Sequence, residues 1–253
     1  MDKITSRRNF IKAGSVATIS ALTITEIVTS AFAEAKVSKI ALGQDNTFLF
    51  QGDSITDSSR NKENMNPNNP SALGSGYAMI AGSEMLFKHP EKNLKIYNKG
   101  ISGNKVYQLA ERWDADCLNL KPDVLSILIG VNDYWHKHDG KYNGTITIFR
   151  NDYKALLERT KKALPDVKLI IAEPFAVPDV KAVDKTWYPE FPEYQKASRD
   201  MAQKFDAVFI PLQSVFDKAI KSAPGGYWTI DGVHPTLAGA QLMANAWMEV
   251  LKG

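Results

Sequence analysis

Residues 47–57 read TFLFQGDSITD, an apolar run followed at Gly52 by a polar turn. A short run of aromatic and branched residues that ends in a glycine is typical of a strand buried on both faces. Asp53 and Ser54 belong to the residue types that commonly begin a helix, because their side chains bond to free N–H groups there. We therefore predict a β-strand from Thr47 to Phe50, followed by a turn that presents Asp53 and Ser54.

The same alternation of a short apolar run and a helical stretch recurs along the chain. Further strands are predicted at Leu94 to Tyr97, Val124 to Ile129, Lys168 to Ala172 and Ala207 to Ile210. Helical periodicity is found at Tyr77 to Lys88, Val106 to Leu120, Phe149 to Leu164, Pro192 to Phe205, Val215 to Ser222 and Thr236 to Lys252. Alternating strands and helices imply right-handed βαβ crossovers. We expect one α/β domain over residues 34–253, built as a three-layer α/β/α sandwich around a five-stranded, mostly parallel sheet.

Composition excludes several classes of protein. The 253 residues include 31 Lys and Arg and 28 Asp and Glu, and 44% are hydrophobic. This is the composition of a globular domain and not of a disordered, collagen-like or coiled-coil chain. The formal net charge is only +3 and the basic residues are scattered, so we expect no nucleic-acid partner. The single cysteine, Cys117, excludes an intrachain disulfide and a cysteine-based zinc site, and its apolar neighbours predict a buried thiol.

The N-terminal residues are typical of an export signal. Residues 6–12 read SRRNFIK, an uncharged stretch of small residues follows, and residues 31–33 read AFA. This pattern indicates a twin-arginine signal with a small-residue cleavage site. A membrane-spanning helix is the alternative, but Glu26 ends the apolar run short of the roughly 20 residues that a span needs. We expect a signal over residues 1–33, cleavage after Ala33, and a periplasmic or secreted product without a stable membrane anchor.

Polar clusters follow the predicted strands, where the carboxyl ends of a parallel sheet meet at one edge. They are residues 51–57, 98–104 and 130–133, and a fourth cluster, residues 231–236, precedes the last helix. Acyl transfer needs a nucleophile, a base, a group that orients the base, and donors for the developing oxyanion. Ser54 suits the nucleophile and His234 the base, and Asp231 lies three residues before His234, where it can orient the ring.

Three donors for an oxyanion are also available in these clusters. They are the backbone N–H of Ser54, the backbone N–H of Gly100 and the side-chain amide of Asn132. Each cluster by itself has a structural explanation, as a helix cap, an Asx turn or a surface histidine. Unrelated caps have no reason to converge at one sheet edge, so together the clusters favour a catalytic site.

The four clusters resemble the blocks of the SGNH, or GDSL-type, hydrolase family, named for its serine, glycine, asparagine and histidine. The resemblance runs in family order from about Phe48 to Lys252, with Ile55 where the family's alternative name has leucine. It implies a flavodoxin-like fold and a serine esterase without a cofactor. By position it implies a triad of Ser54, Asp231 and His234, and an oxyanion hole of Ser54, Gly100 and Asn132.

Aromatic residues among polar ones in the loops predict the substrate. Tyr134 and Trp135 follow the third block, and Trp187 and Tyr188 lie in the long loop after the fourth strand. Such residues suit the faces and hydroxyls of a sugar, although some of them fit equally well in the core. Within the family the pattern, with residues 173–175 reading EPF, resembles carbohydrate esterases such as acetylxylan esterases. We therefore expect a short acyl ester, on a small molecule or polysaccharide, as the substrate.

Other functions remain open at this stage. A lysophospholipase or thioesterase of the same family is the first alternative, and a sugar-binding protein without catalysis is the second. The only paired histidines, His136 and His138, fall in a polar stretch that we interpret as a solvated loop. We expect no metal, because the proposed proton relay is complete without one.

Overall fold

A computed structural model describes residues 23–33 and 39–252. Its sheet contains five strands: β1 (Thr47–Gly52), β2 (Lys95–Asn98), β3 (Val124–Leu128), β4 (Lys168–Ala172) and β5 (Val208–Ile210). They pair in the order β2-β1-β3-β4-β5, and every neighbouring pair is parallel. The predicted α/β fold with a five-stranded sheet is confirmed.

Helices connect the strands and cover both faces. They are α1 (Ile24–Ala33), α2 (Ser54–Asp57), α3 (Pro70–Leu73), α4 (Tyr77–Lys88), α5 (Val106–Glu111), α6 (Trp113–Asp116), α7 (Val131–His138), α8 (Ile146–Ala163), α9 (Phe191–Lys204), α10 (Leu212–Ala219), α11 (Gly225–Trp228) and α12 (Leu237–Met248). Short 3₁₀ turns occur at Pro90–Lys92, Leu118–Leu120 and Lys185–Trp187. On one face α4 packs on α12, and on the other α8 packs between α5 and α9. No helix of the described residues is both long and apolar enough to cross a membrane.

The aromatic side chains of β1 hold one helical layer on the sheet. The ring of Phe50 lies 4.9 Å from that of Trp247 in α12 and 5.8 Å from that of Tyr77 in α4. The indole N–H of Trp247 donates a hydrogen bond of 3.0 Å to Oγ of Ser126 in β3. Aromatic packing of this kind contributes large buried apolar area, and the hydrogen bond satisfies the one polar atom of the indole. β1 and β3 are thereby fixed in the centre of the core.

Two predicted segments differ from the structure. The predicted helix from Val106 to Leu120 is broken into α5, α6 and a 3₁₀ turn, and Cys117 between them is fully buried. The stretch with His136 and His138, interpreted as a solvated loop, belongs to helix α7 (Val131–His138). Only the first turn of α7 packs into the core, so its sequence lacks the repeated apolar positions by which a helix is predicted.

The end of the predicted export signal is part of the packed structure. The twin-arginine stretch lies outside the described residues, but helix α1 contacts α10 and α12. Ile27, Val28 and Ala31 are at most 2% exposed. The helix begins with a capping box: the N–H of Thr23 donates to the Glu26 carboxylate, and the N–H of Glu26 donates to Oγ1 of Thr23. Cleavage after Ala33 would therefore remove a helix that covers α10 and α12. Export and cleavage themselves stay predictions.

Replacement of Ile27 by alanine in the full-length chain should lower the free energy of unfolding by about 2–4 kcal/mol, because a buried side chain is removed. Thr25→Ala, at an exposed position of the same helix, should change it by less than about 0.5 kcal/mol. Urea denaturation followed by circular dichroism measures both values. Equal effects of the two substitutions would contradict the packing of α1 on α10 and α12.

Candidate active site

The turn after β1 carries Ser54 at the first position of α2. Asp53 caps this helix, since its Oδ1 accepts a hydrogen bond of 3.0 Å from the N–H of Ile55. A Cβ on Gly52 would lie 2.4 Å from the carbonyl oxygen of Leu128 in β3. Glycine is therefore required for the two strands to approach each other just before the serine.

A second turn, between α11 and α12, carries Asp231 and His234. Oδ1 of Asp231 accepts hydrogen bonds from the backbone N–H groups of Val233, at 3.0 Å, and His234, at 2.8 Å. Gly232 has a φ of +95°, and a Cβ on it would lie 2.5 Å from the side chain of Val183. Other residues would strain this turn. The Asp-x-x-His sequence thus folds into a rigid unit that fixes both side chains.

Ser54, His234 and Asp231 form a continuous line of hydrogen bonds. Oγ of Ser54 lies 2.8 Å from Nε2 of His234, and Nδ1 of His234 lies 2.7 Å from Oδ2 of Asp231. A carboxylate at Nδ1 favours the ring tautomer whose Nε2 is free to accept the serine proton. This geometry is suited to removing a proton from Ser54 as its oxygen attacks a carbonyl carbon.

The two carboxyl groups near His234 have opposite pKa shifts. Burial raises the pKa of Asp231, but the hydrogen bonds from the ring and backbone of His234 outweigh it and lower this pKa to about 2. Asp53 is fully buried, which raises its pKa to about 7. The hydrogen bond that Nδ1 of His234 donates to Asp231 raises the pKa of His234 above its ordinary value, against the effect of burial. Asp231 is therefore the carboxylate that stabilises a protonated His234.

The loop after β2 contains two glycines with different surroundings. The N–H of Gly100 donates to Oδ1 of Asn98 at 2.9 Å, and a Cβ on Gly100 would lie 2.4 Å from the backbone nitrogen of Asp57. The prediction that Gly100 supplies an oxyanion donor is corrected, because its N–H is already used. Gly103 has a φ of +79°, and the space where a Cβ would project is open. Its N–H has no hydrogen-bond partner within the described part of the chain.

Asn132 contacts Asn104, the residue that follows Gly103. It occupies the first turn of α7, and its Nδ2 donates to the carbonyl oxygen of Asn104 at 3.3 Å. Ser102, on the other side of Gly103, lines the same pocket as Ser54. The N–H of Ser54 is also available, since the first N–H groups of a helix have no partner within it. Ser54 and Asn132 are thus close to the residues on either side of Gly103.

Two arginines hold the loop that carries Gly103. Nε of Arg60 donates to the carbonyl oxygen of Gly100 at 2.8 Å. Arg112 donates to the carbonyl oxygen of Lys99 at 2.8 Å and to Oδ1 of Asn104 at 2.9 Å. Guanidinium hydrogen bonds are charge-assisted and directional, so they fix the shape of the loop. The sequence pointed to neither arginine, because nothing in the residues around an arginine indicates a partner elsewhere in the chain.

Comparison with known proteins identifies the family of this chain. Residues 50–242 match the model of the GDSL-like lipase/acylhydrolase family. The chain belongs to this family. Over 215 residues it is 30% identical to an acetylxylan esterase of Geobacillus stearothermophilus, a match that covers 82% of this chain and 94% of that protein. This GDSL-family protein is therefore a carboxylic ester hydrolase.

Solved structures show the same fold. A protein from Parabacteroides merdae described as a GDSL-like lipase is 50% identical, with a TM-score of 0.82 over 84% of this chain and 98% of that one. The acetylxylan esterase of G. stearothermophilus is 27% identical in its crystal structure, with a TM-score of 0.76 over 83% of this chain and 96% of that one. Two further structures of that esterase are of catalytic mutants, in which a serine or a histidine is replaced by alanine.

The predicted substrate-binding aromatics of this GDSL-family hydrolase divide into two groups. Tyr134 and Trp187 are 0% and 1% exposed, with ring centroids 5.1 Å apart. Their prediction as substrate contacts is wrong, because both pack in the core. Trp135 is partly exposed, with its ring centroid 6.1 Å from that of His234, and so borders the site. Tyr188 is 37% exposed, and its hydroxyl donates to the carbonyl oxygen of Ala176.

The paired histidines end α7 and have protein partners. Nδ1 of His136 lies 3.0 Å from Nζ of Lys105. Nδ1 of His138 lies 3.3 Å from the hydroxyl of Tyr134, and its Nε2 lies 3.1 Å from Oγ1 of Thr186. The described residues contain no group of three or more His, Cys, Asp or Glu side chains that could hold a metal. A metal site built on these histidines has no support in this geometry.

The Asp231→Asn variant should shift the pH profile of ester hydrolysis. In the wild type, kcat/KM should rise with pH as the free His234 loses its proton, with a midpoint above that of an ordinary imidazole, about 6.5. An amide at position 231 removes the charge that stabilises the protonated ring, so the midpoint should fall. The rate should fall as well, because the ring is no longer held in the productive tautomer.

Steady-state rates between pH 5 and 9 measure both effects. Asp166→Asn, at an exposed aspartate, is the matched control and should leave the profile unchanged. An unchanged midpoint in Asp231→Asn, with activity near wild type, would mean that Asp231 only shapes its turn.

Proposed function

We propose that the protein is an exported serine esterase that removes a short acyl group, acetyl in particular, from a carbohydrate. The observation that carries the catalytic part is the line of hydrogen bonds from Ser54 through His234 to Asp231. The similarity to an acetylxylan esterase supports the acyl group and the substrate class. The twin-arginine pattern at residues 6–12 supports export.

In this proposal, Ser54 Oγ attacks the ester carbonyl while His234 Nε2 takes its proton. The negative oxygen of the tetrahedral intermediate accepts hydrogen bonds from the N–H groups of Ser54 and Gly103 and from the amide of Asn132. The bond to the alcohol then breaks, and His234 returns the proton to the leaving oxygen. Water repeats the sequence on the acyl-enzyme, which releases the acid and restores Ser54. Asp231 orients His234 and stabilises its charge throughout.

A fluorophosphonate probe should label Ser54, and Ser54→Ala should abolish both labelling and hydrolysis. Peptide mass spectrometry locates the adduct, and release of acetate from acetylated xylo-oligosaccharides measures activity. Ser222→Ala, at an exposed serine outside the site, is the control. Labelling at another serine, or full activity in Ser54→Ala, would disprove the assignment. Activity on long-chain or thioester substrates alone would favour the lysophospholipase or thioesterase alternative.

Asn132→Ala should lower kcat by roughly 10²–10³ with little change in KM, because an oxyanion donor acts mainly in the transition state. The loss should be the same on every ester that the wild type hydrolyses. Asn119→Ala, at an exposed asparagine, should have no effect. A change confined to KM would show that Asn132 binds substrate instead.

A further inference from the structure

A pocket of about 530 Å³ opens beside Ser54 and His234. Its walls are the turn that follows α2, the residues that begin α4 and the residues that begin α12. The volume lies within the range of roughly 300–1,000 Å³ that small-molecule sites occupy. The pocket is therefore large enough for a ring-sized group attached to the ester.

The lining of this pocket is rich in hydroxyl groups and nearly free of charge. Ser58, Ser59, Ser75, Ser102 and Thr236 contribute hydroxyls. Those of Ser75, Ser102 and Thr236 donate their protons within the protein, so their oxygens can act as acceptors for the hydroxyls of a ligand. Of the described residues that line it, none carries a carboxylate, an ammonium or a guanidinium group, and His234 alone titrates near neutral pH. A phosphate-bearing alcohol would lack a cation to pair with here. The lining suits a neutral group with several hydroxyls.

Two aliphatic side chains form the rim of the same pocket. Ile230 is 54% exposed and Leu237 is 84% exposed. Sugar rings combine hydroxyl edges with apolar C–H faces, so a rim of this kind complements the hydroxyls deeper in the pocket. A long acyl chain needs a continuous apolar groove instead, which the serines interrupt.

The serine wall is held in a strained shape. Ser58 and Ser59 both lie in the left-handed region, with φ of 41° and 60°, where residues other than glycine are uncommon. The N–H of Ser75 donates to the carbonyl oxygen of Ser58 at 2.9 Å. A Cβ on Gly76 would lie 2.7 Å from Oγ of Ser58. The turn is thus fastened to the start of α4, and its hydroxyls are held at the pocket.

The direction of proton transfer indicates which part of the ester enters. When the bond between the acyl carbon and the alcohol oxygen breaks, that oxygen takes the proton that His234 Nε2 received from Ser54. The leaving alcohol must therefore lie on the His234 side of Ser54. His234 lines the pocket together with the residues that follow it, whereas neither Gly103 nor Asn132 does.

We propose that this pocket binds the alcohol part of the ester, and that this alcohol is a neutral sugar ring. The acyl group lies outside the pocket, on the side of the oxyanion donors. This proposal rests on the function proposed above and adds the placement of the two halves of the ester.

A substitution that fills the pocket tests this placement of the two halves of the ester. Ser75→Phe puts a ring into the pocket and preserves the backbone hydrogen bond to Ser58. On an acetylated methyl xyloside, kcat/KM should fall by about tenfold or more, while on vinyl acetate, whose alcohol is small, it should stay within about twofold. The ratio of kcat/KM on vinyl butyrate to kcat/KM on vinyl acetate should not change, because only the acyl group differs between these esters.

Leu237→Trp, at the mouth of the pocket, should give the same pattern and replaces Ser75→Phe if that variant loses activity on every ester. Ser222→Phe, at an exposed serine outside the pocket, is the control. If kcat/KM on vinyl butyrate fell relative to vinyl acetate, while kcat/KM on the acetylated xyloside relative to vinyl acetate stayed unchanged, the acyl group would lie in the pocket. That result would overturn the proposal. Two unchanged ratios would also overturn it, as would a wild type that cleaves vinyl esters but no acetylated sugar. Failure of the function proposed above would give a different result, because vinyl acetate hydrolysis would then persist in Ser54→Ala.

Discussion

The close approach of β1 to β3 is the constraint on which the site depends. These strands are neighbours in the sheet, with Gly52 level with Leu128, and the missing side chain of Gly52 lets the backbone of β3 come near. The chain leaves β1 toward β2 on one side and leaves β3 toward β4 on the other, so a crevice forms between them at their carboxyl ends. Ser54 and Asn132 follow these two strands. A residue larger than glycine at position 52 would push β1 away from β3, and with it Ser54 away from Asn132.

Two carboxyl groups share this crevice, and their surroundings separate their roles. Asp231 accepts several hydrogen bonds and carries its charge over the whole neutral range, with a pKa of about 2. Asp53 is buried with a pKa of about 7, and its Oδ2 makes no hydrogen bond with any described residue. The two groups are both aspartate carboxyls, but their different environments give them different pKa values, as is common in sites of acid–base catalysis. Asp231 is therefore the carboxylate on which the orientation of the His234 ring depends, because it alone of the two bonds to the ring.

Much of the fold followed from local pattern, since β4 and α4 have the bounds that their sequence predicts. The failures share a cause. Helix α7 has a polar sequence because it turns only its first residues to the core, which weakens its period. Tyr134 and Trp187 are residue types typical of sugar-binding sites, yet they pack against each other in the core. An aromatic residue is equally suited to either place, and only the path of the surrounding chain decides between them.

The sequence by itself determined the alternation of strands and helices, and it determined the four polar blocks, because both are local patterns of residue type. Tertiary structure decided which glycine has an N–H without a partner among the described residues. Gly100 and Gly103 are chemically identical and three residues apart, but one packs on α2 and bonds to Asn98, whereas the other faces open space. It also decided that α1 covers α10 and α12, and that a pocket lined by serines lies beside His234. These features depend on contacts between residues far apart in the chain, and no local pattern encodes such distances.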